Sequence, residues 1–277
     1  MALSEMNHWQ RALAVAGISV FVIALMGGMV GAAVGGGGTL AVAAASHGAR
    51  SSAAAAGHSR HELSTTSLRS DGGSAGLPAA VVAHANQALL QLSDVPAGWT
   101  TGRAPATPSR TSPWSKPLAS CAGVSKGMVA IKPTKFSGPD YTSSDNTLAV
   151  EDAISVYPTA AEARADFAAV SKPKTPRCMN SIGSQALRTS IQNEAGSGAT
   201  VGAVSIAALA PGTYESNETG YQVTIPLQSQ GRQLTITSTE IDFVHGRYVQ
   251  QLTFNGNGAT FPPLLEVHLI RVTRART

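Results

Sequence analysis

Few residues of this 277-residue chain have the types and spacing that catalysis requires. Beyond the N-terminal segments the histidines are His84, His245 and His268, and a serine-nucleophile triad would need one of them as base beside an oriented carboxylate. His245 falls in a predicted turn and His268 lies one helical turn after Leu264, so we interpret both as structural. The sequence therefore predicts no catalytic residue and no enzymatic activity.

A second candidate group is acidic. Asp140, Asp145, Glu151 and Asp152 lie close together around a predicted loop and strand start. Such carboxylates could bind a calcium ion or act as general acids, but the ordered ligand spacing of a calcium loop is missing. We therefore interpret the group as a solvated face.

Cofactor and metal sites have equally weak signals. Gly196, Gly198 and Gly202 lack the spacing and the strand-to-helix setting of a dinucleotide-binding loop, which favours a flexible loop. Two cysteines cannot fill a four-thiolate zinc site. The sequence predicts neither a metal site nor a cofactor.

The net charge of +4 could indicate a nucleic-acid partner, so its distribution matters. Most of the positive excess lies between Ala44 and Pro117, outside most of the predicted folded region. A protein that binds phosphate backbones concentrates its positive charge on the binding surface. The sequence therefore predicts no nucleic-acid partner.

The N-terminus carries an apolar run of 22 residues, Leu13–Val34, directly after Arg11. As a helix this run could cross a hydrocarbon core of about 30 Å, and the preceding positive charge favours an inside N-terminus. The alternative is a cleavable signal peptide that ends at small residues such as Ala41–Ala43. We predict a cytoplasmic tail (1–11), a transmembrane anchor or signal core (12–34), a flexible linker (35–76) and an extracytoplasmic domain (77–277). The predicted location is the cell membrane, with secretion as the alternative.

Helical patterns mark the first part of this domain. Val81, Ala85, Leu89 and Leu92 share a helical face after Pro78. A strand is predicted over 147–157 and a second helix after it, where Thr159 and Glu162 form a capping box. Ala160, Ala163, Phe167 and Val170 are its expected buried stripe. A further helix is predicted from Cys178 to about Ile191.

The last third changes to the alternating pattern of strands. One strand is predicted over 201–209 and the next around Tyr221–Leu227, where Pro226 indicates a strand at or near an edge of the sheet. A hairpin follows, with strands 234–244 and 247–254 around a turn at His245-Gly246, and a change of apolar parity predicts a bulge near Ser238–Glu240. A final helix begins at Pro262-Pro263. The predicted fold is α/β of the α+β type, a central antiparallel sheet packed by helices on one side.

Several segments together resemble a known family. They are LSDVPAGW (92–99), SCAGV (120–124), YPTAAEARADF (157–167), PRC (176–178) and GRYVQQLTF (246–254). The chain resembles the PknH-like extracellular sensor domains of actinobacterial exported and membrane-anchored proteins over about residues 78–274. The resemblance implies an antiparallel sheet with a cleft and a ligand-sensing role.

The functional expectation follows from export and from this resemblance. We expect a domain that binds a cell-envelope ligand, such as a lipid, glycan or peptide. An envelope-acting hydrolase and a protein-interaction module are the alternatives. Export places Cys121 and Cys178 in an oxidising compartment and the even count leaves no spare thiol, so the two are predicted to form a disulfide.

Overall fold

The structure is a computed structural model that describes residues 70–71, 77–102, 115–123, 133–195, 199–210, 217–229 and 232–277. The predicted tail, the membrane or signal segment and nearly all of the linker lie outside these ranges, as do Gly196 and Gly198. Among the described residues, no helix has the length and hydropathy needed to cross a membrane.

Helices and strands follow one another in groups along the described chain. The helices are α1 (Ala79–Ala88), α2 (Ser115–Ala122), α3 (Ala160–Val170), α4 (Thr175–Cys178), α5 (Ser184–Ala195) and α6 (Pro263–Arg276). A π-helical turn, Met179–Gly183, joins α4 to α5. The strands are β1 (Ser70–Asp71), β2 (Thr100–Thr101), β3 (Thr134–Ser137), β4 (Tyr141–Thr142), β5 (Leu148–Val156), β6 (Ala199–Val201), β7 (Ser205–Ala208), β8 (Glu218–Ser229), β9 (Arg232–His245) and β10 (Tyr248–Asn257).

These strands form one antiparallel sheet in the order β1-β3-β5-β10-β9-β8-β6. The short strand β4 pairs with β2 and β5, and β7 pairs with β8. The long strands β8, β9, β10 and β5 make up the centre of the sheet. The α+β class and the central antiparallel sheet predicted from the sequence are confirmed.

Helices cover both faces of the sheet, so the prediction of helices on one side is wrong. We call the face that carries the even-numbered residues of β9 the even face, and the opposite one the odd face. On the even face Met179 and Leu187 pack against Ile225 and Ile236. On the odd face α6 packs through Leu269 and Ile270 against Ile241, Phe243, Leu252 and Phe254, and α1 packs through Ala85 and Ala88 against Ile154 and Val156. The error arose because the apolar residues of β9 divide between the two faces.

Strand β9 has no bulge near Ser238–Glu240, contrary to the prediction. Its pairing with β8 runs without interruption from Arg232 to Phe243, and its pairing with β10 runs from Ile236 to His245. The turn that follows consists of Gly246 and Arg247, and a positive φ of 56° at Gly246 explains why glycine suits this tight turn. The apolar side chains of β9 therefore move from one face of the sheet to the other along the strand, without any interruption of its pairing.

Other local predictions hold with shifted boundaries. Helix α1 ends at Ala88, so Leu92 lies in a following 3₁₀ turn and is 51% exposed instead of sharing the buried face. The helix predicted from Cys178 begins earlier, at Thr175, and continues past Ile191 through the π-helical turn.

The strand predicted over 201–209 divides into β6 and β7 around Gly202. Strand β8 pairs with both of these and with β9, so it lies next to this edge of the sheet, as predicted. The Pro226 carbonyl accepts a hydrogen bond from the Gly202 N–H, so the Pro226 ring nitrogen faces the break between β6 and β7. At this break the missing N–H of proline removes no hydrogen bond between strands.

The predicted disulfide is present. Cys121 in α2 is bonded to Cys178 in α4, with a Cα–Cα distance of 5.8 Å. Cys178 belongs to the apolar cluster that packs α4 and α5 onto the even face. The bond therefore ties α2 to the helices that cover this face.

Candidate functional site

The even face changes from apolar to acidic along strand β9. Leu234 and Ile236 pack with the apolar cluster beneath α5, whereas Ser238, Glu240 and Asp242 continue the same face toward the hairpin. Alternate residues of a strand point to the same face, so these side chains form one row. Burial of three polar side chains in succession is unusual for a central strand and marks this face as the candidate site.

The neighbouring strands add further polar groups to the row. Glu240 lies opposite Thr253 of β10, and Thr253 lies opposite Glu151 of β5. Asp242 and Ser238 lie opposite Gln251 and Asn255 in the same way. We call the following residues the polar cluster: Lys135, Glu151, Asp166, Ser238, Glu240, Asp242, Gln251, Thr253 and Asn255.

Helix α3 brings Asp166 to this cluster. The helix begins with the predicted capping box, in which the Glu162 N–H donates to the Thr159 hydroxyl at 3.2 Å and the Thr159 N–H donates to the Glu162 carboxylate at 2.9 Å. The buried Tyr157, which follows β5, donates its hydroxyl to Asp166 Oδ2. The helix therefore buries a carboxyl that the predicted apolar stripe did not include.

Some members of the polar cluster pair with each other. The Gln251 amide donates to Asp242 Oδ1 at 3.1 Å, and the Asn255 amide donates to Glu151 Oε1 at 3.2 Å. Lys135 interacts electrostatically with Asp166 and with the carboxyls of β9. These contacts hold the outer members of the cluster in place.

The centre of the cluster lacks such partners. Within the described part of the chain, neither carboxyl oxygen of Glu240 has a hydrogen-bond partner, and the same holds for the hydroxyls of Ser238 and Thr253 and for Asp166 Oδ1. Glu240 and Ser238 have no exposed surface, and Thr253 is 1% exposed. A buried polar group without a partner costs about 1–3 kcal/mol, so this arrangement opposes the stability of the unoccupied domain.

Burial raises the carboxyl pKa values in the cluster. It raises the pKa of Asp166 to about 6, although Tyr157 and Lys135 partly oppose the shift. It raises the pKa of Asp242 to about 7, partly opposed by the Gln251 amide. The pKa of Glu240 lies well above its ordinary value because of burial and of repulsion from Asp242, although Lys135 and the nearby Gln251 amide partly oppose the shift. Near neutral pH the cluster thus contains carboxyls that can give up or take up protons.

Exposure increases along the even face toward the β9–β10 hairpin. The rows through Ser238 and Glu240 are buried, but Gln251 and Val249 of β10 are half-buried, as are Ser155 and Lys135 beyond them. The polar face therefore leads from the interior to the surface at the hairpin end. A ligand group reaching Glu240 along the strands would pass these residues.

The odd face shows a buried carboxyl that is fully partnered. Asp152 Oδ2 accepts from the Leu90 N–H at 2.7 Å, and the Gln250 amide donates to both Asp152 oxygens at 2.9 and 3.0 Å. Nearby, Arg276 donates two hydrogen bonds to Asp94, at 2.6 and 2.7 Å. This network ties α1 and the end of α6 to the sheet, which indicates a structural role.

The structure separates the acidic residues that the sequence groups together. Asp145 is exposed, but Asp140, Glu151 and Asp152 are buried, so the interpretation as a solvated face is wrong for these three. Glu151 and Asp152 are neighbours in one strand and therefore point to opposite faces. In the described ranges, no group of three or more side chains is arranged to hold a metal ion.

The histidines lie away from the polar cluster. His245 and His268 are exposed, on the hairpin and on α6. His84 packs its ring against Tyr248 and lies 3.2 Å from the Thr277 carbonyl oxygen. Sequence reasoning missed Glu240, Asp242 and Asp166, and the signal that could have found them is the parity change in β9 that was interpreted as a bulge.

Comparisons with known proteins give a limited result. No protein-family model matches the chain, and no curated protein is detectably similar in sequence. Among solved structures, the extracellular domain of PknH from Mycobacterium tuberculosis aligns with a TM-score of 0.35 and 12% identity, over 70% of this chain and 95% of that chain. At this level of similarity no residue role is carried from that domain to this chain, and the family resemblance drawn from the sequence stays a prediction.

Proposed function

We propose that residues 77–277 form an extracytoplasmic domain that binds a polar ligand at the polar cluster without changing it chemically. The observation that supports this proposal most directly is the set of buried, unpartnered groups at Glu240, Ser238 and Thr253. Functional sites commonly retain polar arrangements that reduce stability, because a ligand satisfies them. A polar ligand would supply the missing hydrogen bonds.

The proposed location is supported by the disulfide and by the N-terminal sequence. Disulfides persist mainly in oxidising compartments outside the cytosol, and Cys121–Cys178 is such a bond. The apolar run Leu13–Val34 supplies an export or anchoring signal. Addition of protease to intact cells should remove the domain by cutting within 44–76, and a domain that is protected until the membrane is lysed would contradict this topology.

A second candidate function is hydrolysis of envelope material. It is favoured by the raised pKa values of Asp166 and Asp242, about 6 and about 7, since a general acid needs a carboxyl that is still protonated near neutral pH. Glycoside hydrolysis uses two carboxyls in this manner. In that case Asp242→Asn would abolish product formation, whereas the binding proposal expects no product from the wild type.

Thermal unfolding of the full-length chain in detergent micelles tests the binding proposal. Fractionated envelope lipids, glycans and peptides are added, and the stabilising fraction is recovered and analysed by mass. A ligand at 100 times its Kd stabilises by about 2.7 kcal/mol, which raises the unfolding midpoint by several degrees. The Glu240→Gln variant should lose this shift.

Asp145→Asn is the matched control, because it removes one negative charge from an exposed position away from the cluster. It should keep the full stabilisation. Equal stabilisation of the wild type and Glu240→Gln by every active fraction, or the absence of any active fraction, would contradict binding at the polar cluster.

A further inference from the structure

The unpartnered atoms of the polar cluster are mainly acceptors. Both oxygens of Glu240 and one oxygen of Asp166 lack donors among the described residues. The hydroxyls of Ser238 and Thr253 can donate or accept, so they adapt to either kind of ligand. A ligand that satisfies Glu240 must therefore bring N–H or O–H donors.

The charges of the cluster favour a positively charged donor. Glu151, Asp166, Glu240 and Asp242 carry four carboxyls, and Lys135 is the cation that opposes them in the cluster. Glu240 is repelled by Asp242 and Glu151, and burial disfavours its charged form. A bound cation would favour the ionised form of these carboxyls, whereas a neutral polyol would not.

The spacing of the carboxyls favours an extended group over a single ion. Neighbouring strands are about 4.8 Å apart, so the backbones at Glu240 and Glu151, two strands apart, are separated by about 10 Å. Along β9, Glu240 and Asp242 are about 7 Å apart. The hydroxyl of Thr253 lies between the two glutamate positions in the pairing register. A flexible ligand with several N–H donors fits this spread.

We infer that the polar cluster binds a ligand that carries a primary ammonium group, held between the Glu240 carboxylate and the Thr253 hydroxyl. This inference rests on the proposed function and names the chemical class of its ligand. The ligand enters along the even face from the hairpin end, past Gln251 and Lys135, where exposure is greater. Lys135 lies on this route and disfavours the approach of a cation unless the carboxyls are ionised.

Binding is therefore expected to depend on pH. The titratable groups that face Glu240 are Glu151 on β5, Asp242 on β9, Lys135 on β3 and, from β8, Tyr221. Asp166 on α3 acts on Lys135 and Asp242. The pKa values of Asp166 and Asp242, about 6 and about 7, mean that these two carboxyls hold protons at pH 5 and are mostly ionised at pH 8. The pKa of Glu240 is also raised, so an ammonium group must displace its proton at low pH. The affinity for an ammonium ligand should fall at least tenfold between pH 8 and pH 5.

The test compares 1,4-diaminobutane, which carries two ammonium groups, with 1,4-butanediol, which carries hydroxyls in their place. Calcium chloride is the third probe. Each is titrated into the full-length chain in detergent, and the backbone amide resonances of β9 and β10 are followed by NMR. The expected result is saturable binding of the diamine at pH 8, at least tenfold tighter than the diol or calcium. Glu240→Gln should weaken diamine binding at least tenfold, and Asp145→Asn should not change it.

Other outcomes separate this inference from the proposed function. If the diol or calcium binds as tightly as the diamine and Glu240→Gln weakens that binding, the site stands but the ammonium assignment is wrong. If the diamine binds equally to the wild type and Glu240→Gln, both the assignment and the site are wrong. Absence of saturable diamine binding, or tighter binding at pH 5 than at pH 8, also overturns the inference.

Discussion

The odd and even faces of the sheet bury carboxyl groups under different conditions. On the odd face, Asp152 accepts hydrogen bonds from Leu90 and Gln250, and a salt bridge between Arg276 and Asp94 lies nearby. On the even face, Glu240 is equally buried and has no hydrogen-bond partner within the described ranges. A buried charge stabilises a fold only when its partners compensate its desolvation. The comparison therefore indicates a structural role for the odd face and supports the proposal that the even face binds a ligand.

The largest expected effect concerns the helices that cover the even face. Replacement of Cys121 and Cys178 by Ala removes a cross-link between residues 57 positions apart. The chain-entropy relation gives a loss of about 4 kcal/mol in the free energy of unfolding. Urea unfolding measures it, and hydrogen exchange should show earlier opening of α4 and α5 than of α6. A loss below about 1 kcal/mol would mean that the disulfide adds little to the stability of the helices over the even face.

The next effect tests the odd face. Asp152→Ala leaves the Leu90 N–H and the Gln250 amide without their acceptor in a buried setting. We expect a loss of about 3 kcal/mol in the free energy of unfolding at pH 8, because both buried donors lose their acceptor. This pH lies above the pKa of Asp152, which burial raises to about 7. Denaturant unfolding provides the measurement. If Asp152→Ala is as stable as the wild type, the odd-face network has no structural role and the contrast between the faces fails.

A smaller effect tests how α3 positions Asp166. Thr159→Ala removes the cap hydroxyl that accepts from the Glu162 N–H, and loss of such a cap costs about 1 kcal/mol. The same unfolding experiment measures this loss. Because Asp166 lies on this helix, envelope-ligand binding should also weaken. Full stability of Thr159→Ala would show that the cap is not needed for the position of α3.

Sequence reasoning predicted those parts of the fold that depend on local signals. The capping box at Thr159 and the hairpin near Gly246 could be predicted because helix capping and turn formation depend on a few neighbouring residues. The disulfide could be predicted from the even cysteine count and the expected export. The second helical layer was missed because burial on both sides of β9 depends on distant elements. The polar cluster was missed for the same reason, since Glu240, Glu151 and Asp166 meet only through strand pairing and helix packing.

The most direct test of the central claim is the stability of Glu240→Gln relative to the wild type as a function of pH. The pKa of Glu240 is raised in the folded state by burial and by Asp242, so the folded state binds more protons than the unfolded state. Its stabilising contribution is full below the pKa of an unfolded glutamate, about 4.3, and is lost as the pH rises toward the folded value. A glutamine side chain cannot lose a proton, so the variant does not lose stability in this way as the pH rises.

Thermal unfolding of both proteins, full-length and without ligand, is measured from pH 4 to pH 9. The account predicts similar midpoints at pH 4 and a midpoint for Glu240→Gln that is a few degrees higher than the wild type at pH 9. This gain in stability would accompany loss of ligand binding, as expected for a group kept for function. A variant that is less stable than the wild type by the same margin at every pH would show that Glu240 is a partnered structural residue and would contradict the account.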